Sequence, residues 1–173
     1  MNNQTFIVLV ILCMITHIIR SAYEILKHKK ILEPNKLTFV IIFSNMVVLW
    51  ISWFVLCSVD VYKMNLPDII RYFGLLLCIT GVVVFLKALF TIKTLENYVG
   101  DLITKGIYSK IRHPMYLGFI LWSIGFPIYM GSIFSFILSF LFISNILFWR
   151  HLEEIELEQR FHDYQAYKKR TLF

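Results

Sequence analysis

The sequence predicts an all-α membrane protein, a bundle of about five transmembrane helices followed by a C-terminal amphipathic helix. Hydrophobic residues make up 58% of the 173-residue chain, whereas soluble domains are about 45–50% apolar. The apolar residues form runs long enough to cross a bilayer. Basic residues cluster between alternate runs, which is the pattern of a polytopic protein with its positive loops on the cytoplasmic side.

Three apolar runs in the N-terminal part each match one span, which takes about 20 residues. They are Thr5 to Leu26, Leu37 to Val59, and Tyr72 to Ile92. The fourth run, Pro114 to Trp149, is too long for one span. It contains Gly125, Pro127 and Gly131, which together favour a turn. We therefore divide it into two spans joined by a tight hairpin.

The charged residues predict the orientation of these spans. Lysine and arginine concentrate after the first, third and fifth spans, and the hairpin between spans four and five carries no charge. This pattern predicts an external N-terminus and a cytoplasmic C-terminus. The net charge of +6 is then explained by topology and anionic lipid rather than by nucleic acid, for which no binding motif is present.

Other classes of protein are disfavoured by the motifs that the sequence lacks. The three cysteines, Cys13, Cys57 and Cys78, fall inside predicted spans and form no CxxC pair, so we expect neither disulfides nor a metal site. No GxGxxG follows a strand-like run, which argues against a soluble dinucleotide-type fold.

Two polar segments are expected to meet on the cytoplasmic side. One spans residues 102–118, before span four, and the other begins at Arg150, after span five. The hairpin returns the chain to the same side, so the two can form one site. We predict a helix from Glu153 to Lys169, because Leu157, Phe161 and Tyr164 recur at i, i+4 and i+7.

The residue types in these segments suit a ligand with an anion, cations and an aromatic base. Pro114 is typical of the first turn of a helix, whose N–H groups favour an anion. Tyr108 and Tyr116 offer aromatic faces to a base or a cation. Glu153 or Glu154 can accept hydrogen bonds from amino or hydroxyl groups. Each of these residues alone is equally typical of a membrane interface.

The combination of motifs is more specific. The first segment contains a string of residues at fixed spacing: Leu102-Ile103-Thr104-x-Gly106-x-Tyr108, then Arg112-His113-Pro114-x-Tyr116-x-Gly118. The second contains Glu153-Glu154-x-x-Leu157-x-x-x-Phe161, Tyr164-x-x-Tyr167 and Arg170-Thr171. From Gly100 to Thr171 the chain resembles the isoprenylcysteine carboxyl methyltransferase family and its bacterial and phospholipid-methylating relatives. It departs from that family at His162, where Gly is usual, and at Asp101, where His is frequent.

The resemblance implies a cofactor, a site and a domain division. The cofactor would be S-adenosyl-L-methionine. Its implied contacts are Gly100, Asp101, Leu102, Ile103, Tyr108, His113, Pro114, Met115, Tyr116 and Glu153. Arg150 matches the family's substrate-side arginine, and His113 is the second candidate catalytic residue. Residues 1–92 would supply three spans and residues 93–173 the methyltransferase core.

Three functions remain open at this stage. The first is carboxyl O-methylation of a lipophilic or lipidated acceptor of the isoprenylcysteine type, with the active site facing the cytoplasm. The second is N-methylation of a phospholipid or amine, which requires a base such as His113. The third is a non-enzymatic membrane protein or transporter. It is disfavoured because transporters usually carry mid-membrane ionisable residues, which spans two, four and five lack.

Overall fold

The computed structural model describes residues 3–92 and 102–173, which form an all-α bundle. Its helices are α1 (Asn3–His28), α2 (Lys36–Val59), α3 (Asp68–Thr91), α4 (Pro114–Met130), α5 (Ile133–Arg160) and α6 (Tyr164–Arg170). A single 3₁₀ turn, Gly106–Ser109, precedes α4. The predicted fold class is confirmed.

The apolar helices differ in length. Helices α1, α2, α3 and α5 are long and apolar enough to cross a membrane. With 17 residues, α4 is shorter; at 1.5 Å per residue it reaches about 26 Å, less than the roughly 30 Å hydrocarbon core. The 28 residues of α5 extend well beyond that thickness. The fourth apolar run is therefore divided unequally, and the end of α5 projects out of the apolar part of the bundle.

The turn between α4 and α5 lies later than the sequence suggested. The helix continues through Gly125 and Pro127 and ends at Gly131, which has a φ of 63°. The Ser132 N–H donates to the carbonyl of Pro127 at 2.9 Å and closes this left-handed cap. Of the three predicted turn residues, only Gly131 makes the turn.

Gly125 instead allows α3 and α4 to pack closely. A Cβ atom on Gly125 would lie 2.5 Å from the carbonyl oxygen of Gly74, and one on Gly118 would lie 2.7 Å from that of Gly81. Small residues let helix backbones approach closely in membrane bundles. Gly118, part of the first motif, is therefore a packing position between these helices.

Helices α1 and α5 run side by side in the same direction. The pairs Phe6–Phe134 and Ser21–Trp149 bracket the contact; the first has ring centroids 5.2 Å apart, and in the second the Trp149 indole donates to the Ser21 hydroxyl at 2.9 Å. Both pairs are separated by 128 positions, so the register holds along the contact. This pairing places the C-terminal end of α1 beside the polar end of α5.

The predicted helix from Glu153 to Lys169 is divided in the structure. Residues 153–160 belong to α5, which is continuous with the apolar span. Phe161 has extended backbone angles and ends α5, and α6 begins at Tyr164. The predicted single stripe of Leu157, Phe161 and Tyr164 is therefore wrong, because the chain turns between its second and third members.

The interior consists of two clusters of apolar side chains. One joins α1, α2 and α5 around Trp53 and Phe142, and the other joins α3, α4 and α5 around Trp122 and Trp149. Many large apolar residues on α1, α2 and α3 face outward instead, among them Ile18, Ile51 and Phe90. Apolar surface of this extent is what a lipid-facing bundle requires.

Candidate functional site

The polar site lies where the start of α4, the end of α5 and α6 meet. Glu154 is at its centre and is nearly buried. Its Oε1 lies 3.3 Å from His113 Nε2 and 3.3 Å from Arg112 Nε. Its Oε2 accepts a hydrogen bond from Lys168 Nζ at 3.0 Å. One carboxylate thus connects three elements that are distant in sequence.

His113 is held from both sides of its ring. It is the N-cap residue of α4, and only 4% of it is exposed. Besides the Nε2 contact to Glu154, its Nδ1 lies 4.0 Å from Glu153 Oε2. The hydroxyl of Tyr164 is 3.5 Å from Nε2. The imidazole therefore lies between the two acids of the Glu153-Glu154 pair.

Arg112 fixes the C-terminal segment against the site. Its Nη1 donates to the carbonyl of Thr171 at 2.7 Å and to that of Lys168 at 2.9 Å. The Leu172 N–H donates to Lys110 at 2.8 Å, and the Arg112 N–H donates back to Leu172 at 3.0 Å. Arg112 is therefore a structural residue that anchors α6 and the segment after it.

Helix α6 contributes Lys168 and two tyrosines to this network. Lys168 binds Glu158 Oε1 at 2.9 Å and also Glu154, and these hydrogen bonds raise the pKa of Lys168. Burial raises the pKa of Tyr164 and of Tyr167. Lys168 is thus charged and both phenols neutral at physiological pH.

Arg150 lies next to Glu154, but contacts with that carboxylate do not occupy its whole guanidinium group. Its Nε is 3.9 Å from Glu154 Oε1, and a quarter of its side chain is exposed. The guanidinium carbon lies 4.6 Å from the ring centroid of Phe173. Phe173 in turn packs against the aromatic cluster around Trp122 and Trp149. A cation therefore borders an apolar, aromatic region at the end of the bundle.

Glu153 faces a second polar group, contributed by α1 and α4. Its side chain is 38% exposed. Tyr116 of α4, whose ring is buried, belongs to this group. Arg20 and Glu24 on α1 are its other members. The N-terminal helix therefore contributes to the surroundings of the site.

A half-open cavity of about 380 Å³ adjoins this end of the bundle. Its lining residues are Leu102, Thr104, Phe161, His162, Asp163, Tyr167 and Arg170. The volume lies in the lower part of the roughly 300–1,000 Å³ range of ligand sites. Ligand-sized space thus exists between the first motif and the turn that separates α5 from α6.

The structure brings together part of the predicted site. His113, Tyr116, Glu153 and Arg150 converge at one end, with Pro114 buried and Met115 partly buried beside them. Leu102 lines the cavity, and Ile103 is next to it in sequence and partly buried. Tyr108 is buried, so its ring does not offer an open face to a ligand. Its carbonyl accepts a hydrogen bond from the Tyr167 hydroxyl at 2.6 Å. Gly100 and Asp101 lie outside the described residues.

Sequence reasoning missed several members of the site. Residue types alone left Glu153 and Glu154 as alternatives, the family resemblance selected Glu153, and Arg112 was treated only as a motif residue. Arg20 and Glu24 fall near the end of the predicted first span, yet both side chains are largely buried, with 14% and 6% exposed. Two charged residues one helical turn apart at a span end were the available signal.

Fold and site together define a polytopic membrane protein with a buried ionic network at one end of its bundle. The family model for phospholipid methyltransferases matches residues 69–164, more than half of the chain. The chain belongs to that family, and the resemblance identified from the motifs is confirmed.

One curated relative extends this comparison. Over 81 residues the chain is 37% identical to protein-S-isoprenylcysteine O-methyltransferase of Schizosaccharomyces pombe (strain 972 / ATCC 24843). The match covers 40% of this chain and 30% of that protein, so the chain spans less than a third of the relative's length. No solved structure gives a significant match.

Proposed function

We propose that the protein is an S-adenosylmethionine-dependent methyltransferase acting on the carboxylate of a lipidic, isoprenylcysteine-type acceptor. Residues 93–173 form the methyl-transfer core in this proposal, and residues 1–92 supply the surrounding helices. The observation that carries it is the convergence of His113, Glu153 and Arg150 beside an aromatic, apolar region at one end of the bundle.

The described residues fit the charges of the cofactor. The His113 side chain makes no cap hydrogen bond at the start of α4, which leaves backbone N–H groups there for a carboxylate. Glu153, with 38% of its side chain exposed, can accept hydrogen bonds from an ammonium group or ribose hydroxyls. When bound, S-adenosylmethionine supplies an electrophilic methyl group on a sulfonium.

The protein's part in the reaction is alignment and exclusion of water. A carboxylate acceptor is already ionised at neutral pH, so no residue has to remove a proton. The Arg150 guanidinium, held beside Glu154 and Phe173, can bind that carboxylate through two parallel N–H groups. The buried rings of Tyr116 and Trp149 keep this region apolar. A lipidic chain would lie along the same aromatic cluster.

A second candidate is N-methylation of a phospholipid or amine, favoured by the description of the matching family model. An amine must lose a proton before it can attack, so this reaction needs a base. His113 is the candidate, because its imidazole lies between Glu153 and Glu154 at the proposed acceptor side of the site.

The test is incubation of membranes containing the protein with S-adenosylmethionine labelled in the methyl group, followed by mild base treatment of the lipid extract. Carboxyl methylation predicts label that base releases as volatile methanol. Label that resists base would establish the N-methyl alternative. Membranes without the protein serve as the control, and equal labelling there would contradict both.

A further inference from the structure

The C-terminal end of α1 carries an ion pair turned toward the site rather than toward water. Arg20 and Glu24 belong to the part of the chain that precedes the family match at residue 69. Their side chains are only 14% and 6% exposed. A basic residue at a span end usually extends its head group to the interface, so the inward direction of this pair requires another explanation.

Arg20 is held between α1 and α5. Its Nη2 lies 2.5 Å from Glu24 Oε1. The guanidinium carbon lies 5.5 Å from the ring centroid of Trp149 and 5.4 Å from that of Tyr23. Its buried Nε has no hydrogen-bond partner among the described residues. The guanidinium thus has a fixed position and one N–H group still available.

The charges around Arg20 include both Glu24 and Glu153. Arg20 lies over the ring of Trp149, which is one helical turn before Glu153 on α5. Lys27, three residues after Glu24, binds Glu156, so Glu24 is level with the Glu153 turn of α5. Glu24 is buried, so its charge is poorly screened by water. Without Arg20, the site would hold two acids whose mutual repulsion is only partly offset. Glu153, which is partly exposed, would then turn away from the site.

We infer that Arg20 is a positioning residue that offsets the charge of Glu24 and so keeps the Glu153 carboxylate directed into the site. The inference rests on the proposed function only in assigning Glu153 to the cofactor. It adds a role for α1, which is outside the matched segment, and it places a buried cation–acid pair behind the residue that faces the ligand.

The chain offers a matched control for the loss of a cation at this helix end. Lys27 is also on α1, but its Nζ binds Glu156 Oε2 at 3.0 Å, and Glu156 is 42% exposed. If Arg20 were only a membrane anchor, Arg20→Gln and Lys27→Gln would behave alike. We expect Arg20→Gln to weaken binding of S-adenosylmethionine about tenfold, a typical effect for a buried charge partner. Lys27→Gln should change it less than about twofold.

A double substitution separates electrostatic positioning from simple loss of structure. Because Arg20 is needed to offset Glu24, the Arg20→Gln, Glu24→Gln protein should regain cofactor affinity to within about threefold of wild type. If Arg20 instead acts only by packing against Trp149 and Tyr23, the double variant still lacks that side chain and should show no recovery. The double variant has no unpaired buried charge, so it remains testable even where Arg20→Gln alone fails to fold.

The measurement is calorimetric titration of S-adenosylmethionine into detergent-purified protein, with thermal unfolding recorded for each variant. Any of three results would overturn the inference. They are an affinity of Arg20→Gln for S-adenosylmethionine within twofold of wild type, equal losses of affinity in Arg20→Gln and Lys27→Gln, and no recovery of affinity in the double variant. Where Arg20→Gln does not fold, the double variant decides: wild-type-like binding supports the inference and weak binding overturns it. A wild type that binds without transferring methyl would contradict only the proposed function, and a wild type that does not bind would overturn both.

Discussion

Glu154 Oε1 lies 3.3 Å from His113 Nε2, and this contact joins the polar end of α5 to the N-cap residue of α4. The same oxygen also contacts Arg112. One of these residues precedes the α4–α5 hairpin and the other follows it. Both side chains are buried, and charged contacts are stronger in such surroundings than in water. The orientation of His113 therefore depends on Glu154, while Glu153, the next residue, remains partly exposed to a ligand.

Glu154→Gln should destabilise the polar end of the bundle. Glutamine keeps the shape of the side chain but removes the charge that Arg112 and Lys168 share. We expect a loss of about 1.5–3 kcal/mol in the free energy of unfolding, measured by thermal or denaturant unfolding in detergent. Glu156→Gln is the matched control, because its exposed pair with Lys27 should contribute less than about 1 kcal/mol. Equal losses in both variants would contradict the assigned role of Glu154.

The cofactor assignment predicts a different pattern for the neighbouring residue. Glu153→Ala and His113→Ala should each weaken S-adenosylmethionine binding by roughly ten- to a hundredfold, because each removes a group that faces the ligand. His151→Ala, an exposed histidine on α5, and Glu156→Ala are the controls. Calorimetry checks all four, and affinity unchanged in both test variants would remove these residues from the site.

Only part of this site could be predicted from the sequence. Motif spacing placed His113, Arg150 and the acidic pair at one end of the bundle, because a hairpin of two apolar helices returns the chain to the same side. Residue types did not distinguish Glu153 from Glu154, and only the family resemblance selected Glu153. Adjacent helical residues point about 100° apart, and which of them meets His113 depends on how α5 is rotated against α4.

The ends of the helices could also be predicted only in part from the sequence. Gly125 and Pro127 are typical turn residues, yet the turn lies at Gly131 because α4 keeps its length to pack Gly125 against Gly74. The inward direction of Arg20 depends on the parallel packing of α1 and α5, which hydropathy does not encode. The existence of the apolar helices could be predicted from composition. The rotation of each helix and its distance from its neighbours could not, because both depend on contacts between segments that are distant in sequence.

Substrate handling is tested separately by Arg150→Lys. Lysine keeps the positive charge, but it cannot bind a carboxylate through two parallel N–H groups and does not reproduce the flat contact with Phe173. We expect cofactor affinity within about threefold of wild type, under roughly 0.7 kcal/mol, with most methyl transfer lost. Full activity in this variant would assign Arg150 to anchoring alone and would weaken the case for an acidic acceptor.

The proposed orientation is tested by introduced cysteines. Ser109 and Gln165 are exposed at the polar end of the bundle, and Asn65 is exposed at the opposite end. In intact cells, a membrane-impermeant thiol reagent should label Asn65→Cys but neither Ser109→Cys nor Gln165→Cys until the cells are opened. The native Cys13, Cys57 and Cys78 are buried and should give little background. Labelling at Ser109 or Gln165 before opening would reverse the topology.

The most direct test of the account is methyl transfer by the purified protein in lipid bilayers to a defined acceptor. A prenylated cysteine with a free carboxylate is compared with its carboxamide, which has the same apolar chain but no anion, in the presence of methyl-labelled S-adenosylmethionine. The account predicts base-labile label in the acid, none in the carboxamide, and at least a tenfold lower rate in Glu153→Ala. No label in either acceptor, or equal label in both, would contradict it.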